Sequence, residues 1–185
     1  MNANATKERI LIEAEALIQT RGYNAFSFKD IAATINIKTA SIHYHFPSKE
    51  DLGVAVIAWY ADKIAVLLAQ IDGNNSLSIR EKVQAFFNAV LEITFNDEHK
   101  MCLGGMLASD SQSLPVAIQN QVKKFFTLIL DWLEKLLDAH GFKKEVSAIA
   151  KQIIALIEGG LLLARLYGDV TFLEEVRHFI DKTMQ

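Results

Sequence analysis

The side chains best equipped for chemistry crowd into one stretch, Lys38-Thr39-Ala40-Ser41-Ile42-His43-Tyr44-His45-Phe46-Pro47-Ser48-Lys49. Its two large apolar residues, Ile42 and Phe46, stand four apart and so share one face of a helix. Burying that face turns Lys38, Thr39, Ser41, His43, Tyr44 and His45 mostly outward. Ammonium, hydroxyl and imidazole groups on one short helix suit phosphate oxygens and base edges in a major groove. Elsewhere the chain is poor in catalytic patterns. No Ser/His/Asp set, glycine-rich phosphate loop or pair of acids stands out, so a helical enzyme is the weaker reading. His99 and Cys102, three apart, supply two ligands where a metal site needs more. Neither a metal nor another cofactor is expected.

Positioning that face requires short, firmly stopped helices. Ser27 and Ser48 each precede an aspartate by three residues, Asp30 and Asp51. This is the capping-box spacing, in which hydroxyl and carboxylate each take up a free N–H. It predicts a helix from Phe28 to about Ile35. A turn follows at Asn36, a residue that tolerates left-handed backbone. A second helix runs from Thr39 to His45 and is stopped by Pro47. Ile31, Ile35 and Ile37 are the expected partners of Ile42 and Phe46. Two helices joined so tightly read as a helix-turn-helix over about 29–48. Ahead of it, residues 6–21 carry an apolar stripe of Ile10, Leu11, Ala14, Leu17 and Ile18, with Thr6 as the expected cap and Gly22 as the stop. That helix closes a three-helix core with Phe26, Phe28 and Ile31. A long helix from Ser48 to about Ile71 then leads from the DNA-reading head into the rest of the chain.

The run from Ile37 to Leu52, above all Tyr44-His45-Phe46 with Lys49 and Leu52, resembles the signature of TetR/AcrR-type transcriptional regulators. Gly22-Tyr23 and Phe28-Lys29-Asp30-Ile31-Ala32 fit the same domain, so the match covers roughly residues 6–66. Two positions depart: Asn36 stands where the family usually has Gly, and His43 where it usually has an aromatic. The resemblance implies a two-fold homodimer on a near-palindromic double-stranded DNA operator, its two reading helices entering successive major grooves roughly 34–36 Å apart. It implies DNA contacts from Lys29, Lys38, Thr39, Ala40, Ser41, His43, Tyr44, His45 and Lys49. Tyr44, Lys49 and Thr39 are expected on phosphates, with Ser41 and His45 near the backbone, and Lys38, Ala40 and His43 on bases. It further implies a repressor that leaves its operator when a small-molecule effector binds.

Composition agrees. In 185 residues with 51% hydrophobic content and two prolines there is material for a packed core and little for disordered linkers. A net charge of −3 argues against indiscriminate nucleic-acid binding. Yet between positions 21 and 49 the cations Arg21, Lys29, Lys38 and Lys49 meet a single acid, Asp30, a local basic face on an acidic protein. The lone Cys102 rules out an intramolecular disulfide and fits a reducing cytoplasm. The amino terminus lacks the basic and apolar regions of a signal peptide. The longest apolar stretch, Ile153 to Leu166, is interrupted by Glu158 and Arg165 and reads as too short to span a bilayer. A cytoplasmic protein without membrane contact is expected.

Beyond the polar break Asp72-Gly73-Asn74-Asn75-Ser76, helical periodicity continues over Ser78–Asn96, a short element around Met101–Ser109, Leu114–His140, Lys144–Tyr167 and Thr171–Lys182. The expected fold is all-α with about nine helices: an N-terminal three-helix helix-turn-helix domain (6–66) and a C-terminal helical ligand-binding and dimerisation domain (72–185). The helix ending at Tyr167 is apolar nearly all round and needs cover on every side. Residues 115–140 and 145–168 are therefore expected to pair with a second copy in a four-helix bundle, through Leu133, Leu137, Ile153, Ile157, Gly160 and Ala164. An effector pocket is expected among Trp59, Phe86, Phe87, Val90, Cys102, Met106, Phe125 and Phe126. Lys100 to Ala108 is similar to a Cys-Leu-x-Gly-x-Leu-Ala run in one branch of that family, some members of which sense electrophiles or oxidants through a cysteine. A helix N-terminus, His99 and Lys100 would favour the Cys102 thiolate, but the preferred reading is a buried, inert cysteine packed as a small hydrophobe. The effector is thus expected to be small and apolar or electrophilic. The rival reading is a helical partner-binding or ligand-binding protein without DNA activity.

Overall fold

The computed structural model describes residues 3–95, 100–139, 141–142 and 145–184. Among the described residues there is no strand, and nine α-helices follow one another: α1 (Ala3–Arg21), α2 (Phe28–Thr34), α3 (Thr39–His45), α4 (Lys49–Gly73), α5 (Ile79–Phe95), α6 (Leu103–Ser109), α7 (Val116–Ala139), α8 (Val146–Tyr167) and α9 (Thr171–Thr183). Thr6 is not the cap expected of it. The helix already runs from Ala3, because the alanines ahead of Thr6 are strong helix formers and nothing there breaks the turn.

Three serine–acid boxes start helices. Asp30 accepts from the Ser27 N–H and hydroxyl, both at 2.7 Å, and both halves of that box are formed. Asp51 accepts from the Ser48 N–H at 3.0 Å and hydroxyl at 2.7 Å, while its own N–H donates back to the Ser48 Oγ at 3.1 Å. Ser78 and Glu81 repeat the arrangement ahead of α5. The hydrogen bonds from Ser27 hold the Asp30 carboxyl below the usual carboxylate range, and those from Ser78 do the same for Glu81. The end of α2 is equally defined. Asn36 takes φ 53°, and the Ile37 N–H donates to the Ala32 carbonyl at 3.0 Å while the Asn36 N–H donates to Ala33 at 3.4 Å. That is a Schellman stop with Asn in the left-handed position.

By its contacts the chain divides into two compact units. The first joins the residues up to Asp62 with Leu103–Phe125; the second joins Lys63–Cys102 with the residues from Phe126 onward. A division into 6–66 and 72–185 would put Leu103–Phe125 with the C-terminal part, whereas these residues pack with the N-terminal helices. In the first unit α1 lies against α6, and the Asn24 side-chain amide donates to the Ser113 Oγ at 2.9 Å. A Cβ on Gly53 would fall 2.5 Å from the Ile118 Cδ1 and 2.9 Å from the Tyr23 ring. Periodicity announces a helix but not its partner, and seven-residue α6 cannot cover its own apolar face. The core of this unit contains Ile10, Ala14, Ile18, Ile31, Ile42, Phe46 and Leu52, all buried.

In the second unit α9 packs on α8 and α5, around buried Phe86, Phe87, Leu133, Leu137, Ile153, Ile157, Leu161 and Val176. By length and composition alone α4 and α8 are apolar enough to cross a membrane, and α8 outruns the stretch read from sequence. Each nevertheless carries a buried row at helical spacing, Leu52, Val56, Tyr60 and Ile64 on α4 and Ile149, Ile153, Ile157 and Ala164 on α8, as helices facing a protein core do.

The Asn36 stop yields a direct test. Asn36→Val, which puts a β-branched side chain at positive φ, is expected to cost about 1–2 kcal/mol of unfolding free energy. Asn36→Gly is expected to hold or raise stability. Urea unfolding of the three proteins measures both.

Candidate nucleic-acid interface

The helix-turn-helix is built from two seven-residue helices, too short to persist unaided. Burial fixes their orientation: Ile42 is 0% and Phe46 3% exposed, Ile31 is fully covered, and Ile35 and Ile37 are half-buried. Opposite them, Lys38, Ala40, His43 and Tyr44 are exposed, Tyr44 at 80%, and Thr39, Ser41 and His45 are half-exposed. Lys29 stands exposed on α2. The structure therefore brings the polar residues of α3 onto one open face.

Helix α1 holds this pair at two points that the sequence reading missed. The Arg9 guanidinium donates to the Ile35 carbonyl at the end of α2, and the Lys7 ammonium lies 5.9 Å from the centre of the Phe46 ring. Their only trace in the sequence was two cations off the apolar stripe of α1. His43 is held as well. Its Nδ1 lies 3.3 Å from the Pro47 carbonyl, which can only accept, so that nitrogen donates, and the ring meets Phe28 edge-on at 4.9 Å. Fixing Nδ1 as the donor leaves Nε2 to face an outside partner. Tyr44 and His45 touch edge to face at 5.0 Å.

Lys49 is placed differently from expectation. Its ammonium turns inward, donating to the Phe26 carbonyl and lying 4.3 Å from the Phe26 ring centre and 4.8 Å from that of Tyr23. Desolvation lowers its pKa from the ordinary lysine value, with the nearby Asp30 charge opposing the shift. In this position Lys49 ties the start of α4 to the segment leading into α2. Its charge is engaged by carbonyl and ring faces, which argues against the expected phosphate contact.

The residues expected at an effector pocket divide between the units. Trp59, Met106 and Phe125 belong to the first, where Phe125 is buried with its ring 5.5 Å from Tyr60 and the other two are half-buried. Phe86, Phe87, Val90, Cys102 and Phe126 belong to the second. There Phe86 meets Trp132 at 5.3 Å, and the Arg177 guanidinium lies over buried Phe87 at 5.1 Å. Cys102 is buried just ahead of α6. Of the cations expected to activate it, His99 lies outside the described residues. The group its thiol hydrogen-bonds is the carboxyl of Glu158, an acid that opposes a thiolate.

The expected dimer residues are corrected outright. Leu133, Leu137, Ile153, Ile157, Gly160 and Ala164 are all buried inside one chain. A Cβ on Gly160 would lie 2.8 Å from the Val176 Cγ2, so this glycine admits α9 of the same chain rather than a second copy. Other apolar residues of α8 and α9 are left open, among them Leu162 (56%), Leu163 (37%), Leu166 (72%) and Phe179 (44%). Leu163 and Phe179 border a cleft of about 540 Å³ with Ala155, Leu156 and Gly159.

Comparison with known proteins finds relatives among helix-turn-helix transcriptional regulators. Residues 10–56 match the family model for bacterial regulatory proteins of the tetR family, and residues 78–178 match the C-terminal domain of LmrA/YxaF-like transcriptional regulators. A crystal structure of a TetR transcriptional regulator from Legionella pneumophila is 70% identical, covers 97% of each chain and superposes with a TM-score of 0.96. The uncharacterised HTH-type transcriptional regulator YxaF of Bacillus subtilis is 27% identical over 90% of this chain and 88% of its own. IcaR of Staphylococcus epidermidis, described as a negative regulator of a biofilm operon, is 29% identical over 71% of this chain and 69% of its own.

The inward Lys49 separates a clamp from a phosphate contact. Lys49→Met is expected to cost about 1–2 kcal/mol of stability and to weaken DNA binding, while the slope of log affinity against log salt stays unaltered. Losing a phosphate contact lowers that slope by about one. Titrations at four salt concentrations distinguish the two.

Proposed function

The chain belongs to the TetR family of bacterial regulatory proteins, and from that premise we propose that it is a homodimeric cytoplasmic repressor that leaves a near-palindromic double-stranded DNA operator when a small-molecule effector binds. The observation carrying this reading is the open polar face of α3 over buried Ile42 and Phe46. In it Tyr44, Thr39, Ser41, His45 and Lys29 serve phosphates, and Lys38, Ala40 and His43 meet base edges. The description of IcaR as a negative regulator supports repression over activation. No catalysis, cofactor or membrane contact belongs to this reading.

The dimer contact in this reading is the face that α8 and α9 leave open, Leu162, Leu163, Leu166 and Phe179. An apolar patch of that kind marks an association surface. The effector is small, with an apolar or electrophilic body, and binds within residues 72–185; the operator is read by residues 6–66. Two helices run from one compact unit into the other, α4 across Asp62 and α7 across Phe125. Effector binding acts through them to change the separation of the two α3 helices, and operator affinity falls by the difference in effector affinity between the two states.

Gel shifts against the DNA upstream of the chain's own gene test this. Wild type is expected to give one dimer-sized complex. Tyr44→Ala should weaken it about tenfold whatever the sequence, and Lys38→Ala should cost about 1–3 kcal/mol and relax base preference at one position. Leu163→Glu should elute as a monomer and lose the shift. A wild-type dimer that ignores this DNA even at low salt would count against the reading.

A further inference from the structure

One buried titratable group has no part in DNA reading or in the dimer contact. Glu158 stands mid-way along α8, the chain's most apolar long helix, between buried Ile157 and Leu161. The residue as a whole keeps partial exposure, but its Oε2 is sealed from solvent and has no hydrogen-bond partner among the described residues. The partner the carboxyl does have is the thiol of buried Cys102, a weak donor. Burial drives the carboxyl above the usual carboxylate range, and the thiol offsets this only in part. A leucine there would fill the space without leaving an acceptor unmet. A sealed, unpaired acceptor calls for an explanation beyond packing. The same unit contains a second such atom: the Nε1 of Trp132, on a residue 8% exposed, is buried without an acceptor among the described residues.

We propose that Glu158 is the polar anchor of the effector site and that the effector is an amphipathic amine, an apolar body carrying one basic nitrogen. A neutral amine takes the carboxyl proton on arrival and an ammonium displaces it to solvent. Either way an ion pair forms where water does not compete, so it is stronger than at a surface. A carboxylate ligand forms no ion pair at the same place and must shed its own hydration to enter, and a neutral alcohol of the same shape gains a single hydrogen bond. Met101, Ile157 and Leu161, close along the chain to Cys102 or Glu158, are buried as Cys102 is, apolar surroundings that suit an apolar body. The proposal rests on the regulator reading only for its consequence at the operator; the binding itself needs no DNA.

Calorimetry on the full-length protein with 1-naphthylmethylamine, 1-naphthylmethanol and 1-naphthoate tests it, since the three share one aromatic body. Wild type is expected to bind the amine at least tenfold more tightly than the alcohol and the naphthoate weakest. Glu158→Gln, which keeps the shape and removes the charge, is expected to bring the amine down to the level of the alcohol, with a melting temperature no lower than that of wild type. Cys102→Ser is expected to keep the preference. An amine that binds no better than the alcohol, including no binding by either, overturns the proposal, as does a preference that survives in Glu158→Gln. Should that variant not fold, the wild-type ranking and Glu158→Met decide the matter in the same way. A gel shift on the same samples keeps the two readings apart. Amine binding without any operator complex sinks the regulator and leaves the anchor standing, whereas an operator complex with no amine preference does the reverse.

Discussion

The burial of Ile42 and Phe46 is the constraint on which the reading head rests. A seven-residue helix has too few hydrogen bonds to offset its own nucleation. Two fully covered side chains contribute about 1.5–3 kcal/mol each and dock the helix at a fixed rotation. Because they lie four apart, one orientation satisfies both. That orientation leaves Lys38, Ala40, His43 and Tyr44 in solvent. The open polar face is therefore a consequence of where the apolar residues go.

Around that docking the head is tied at its ends. Ser27 with Asp30 and Ser48 with Asp51 set where α2 and α4 begin, and Asn36 sets where α2 stops. Arg9 reaches the carbonyl of Ile35, the residue that caps α2, and Lys49 reaches the carbonyl of Phe26. Each removes an otherwise unmet backbone group or fixes a chain direction. Cations thus do two kinds of work in this head. Lys7, Arg9 and Lys49, off the reading face, hold its frame together, and Lys29 and Lys38 stand exposed. The net charge of −3 hides both roles, since only position distinguishes them.

The C-terminal unit shows the opposite economy. Helix α8 has apolar residues on nearly all sides, and two of those sides have different fates. Ile153, Ile157, Gly160 and Ala164 pack within the chain, Gly160 close under Val176 of α9, while Leu162, Leu163 and Leu166 stay open. Among these residues Glu158 is the one acid of the helix, and its cost is visible in an oxygen that no described residue meets.

How much of this was legible in the chain follows from the range of each interaction. The Ser27–Asp30 and Ser48–Asp51 caps, the left-handed turn at Asn36 and the face set by Ile42 and Phe46 depend on residues a few positions apart, so sequence spacing settled them, together with the all-α class; the Thr6 cap it suggested did not form. Partners separated by tens of residues left no such trace. The inward turn of Lys49 onto Phe26 and Tyr23, the packing of Leu103–Phe125 with the N-terminal helices, and the side of α8 that lies inside were decided by tertiary contacts. A helical period reports that a face is apolar, but not what covers it, and Glu158, read from sequence as an interruption of an apolar run, acquires its meaning only once burial has stripped its carboxyl of water.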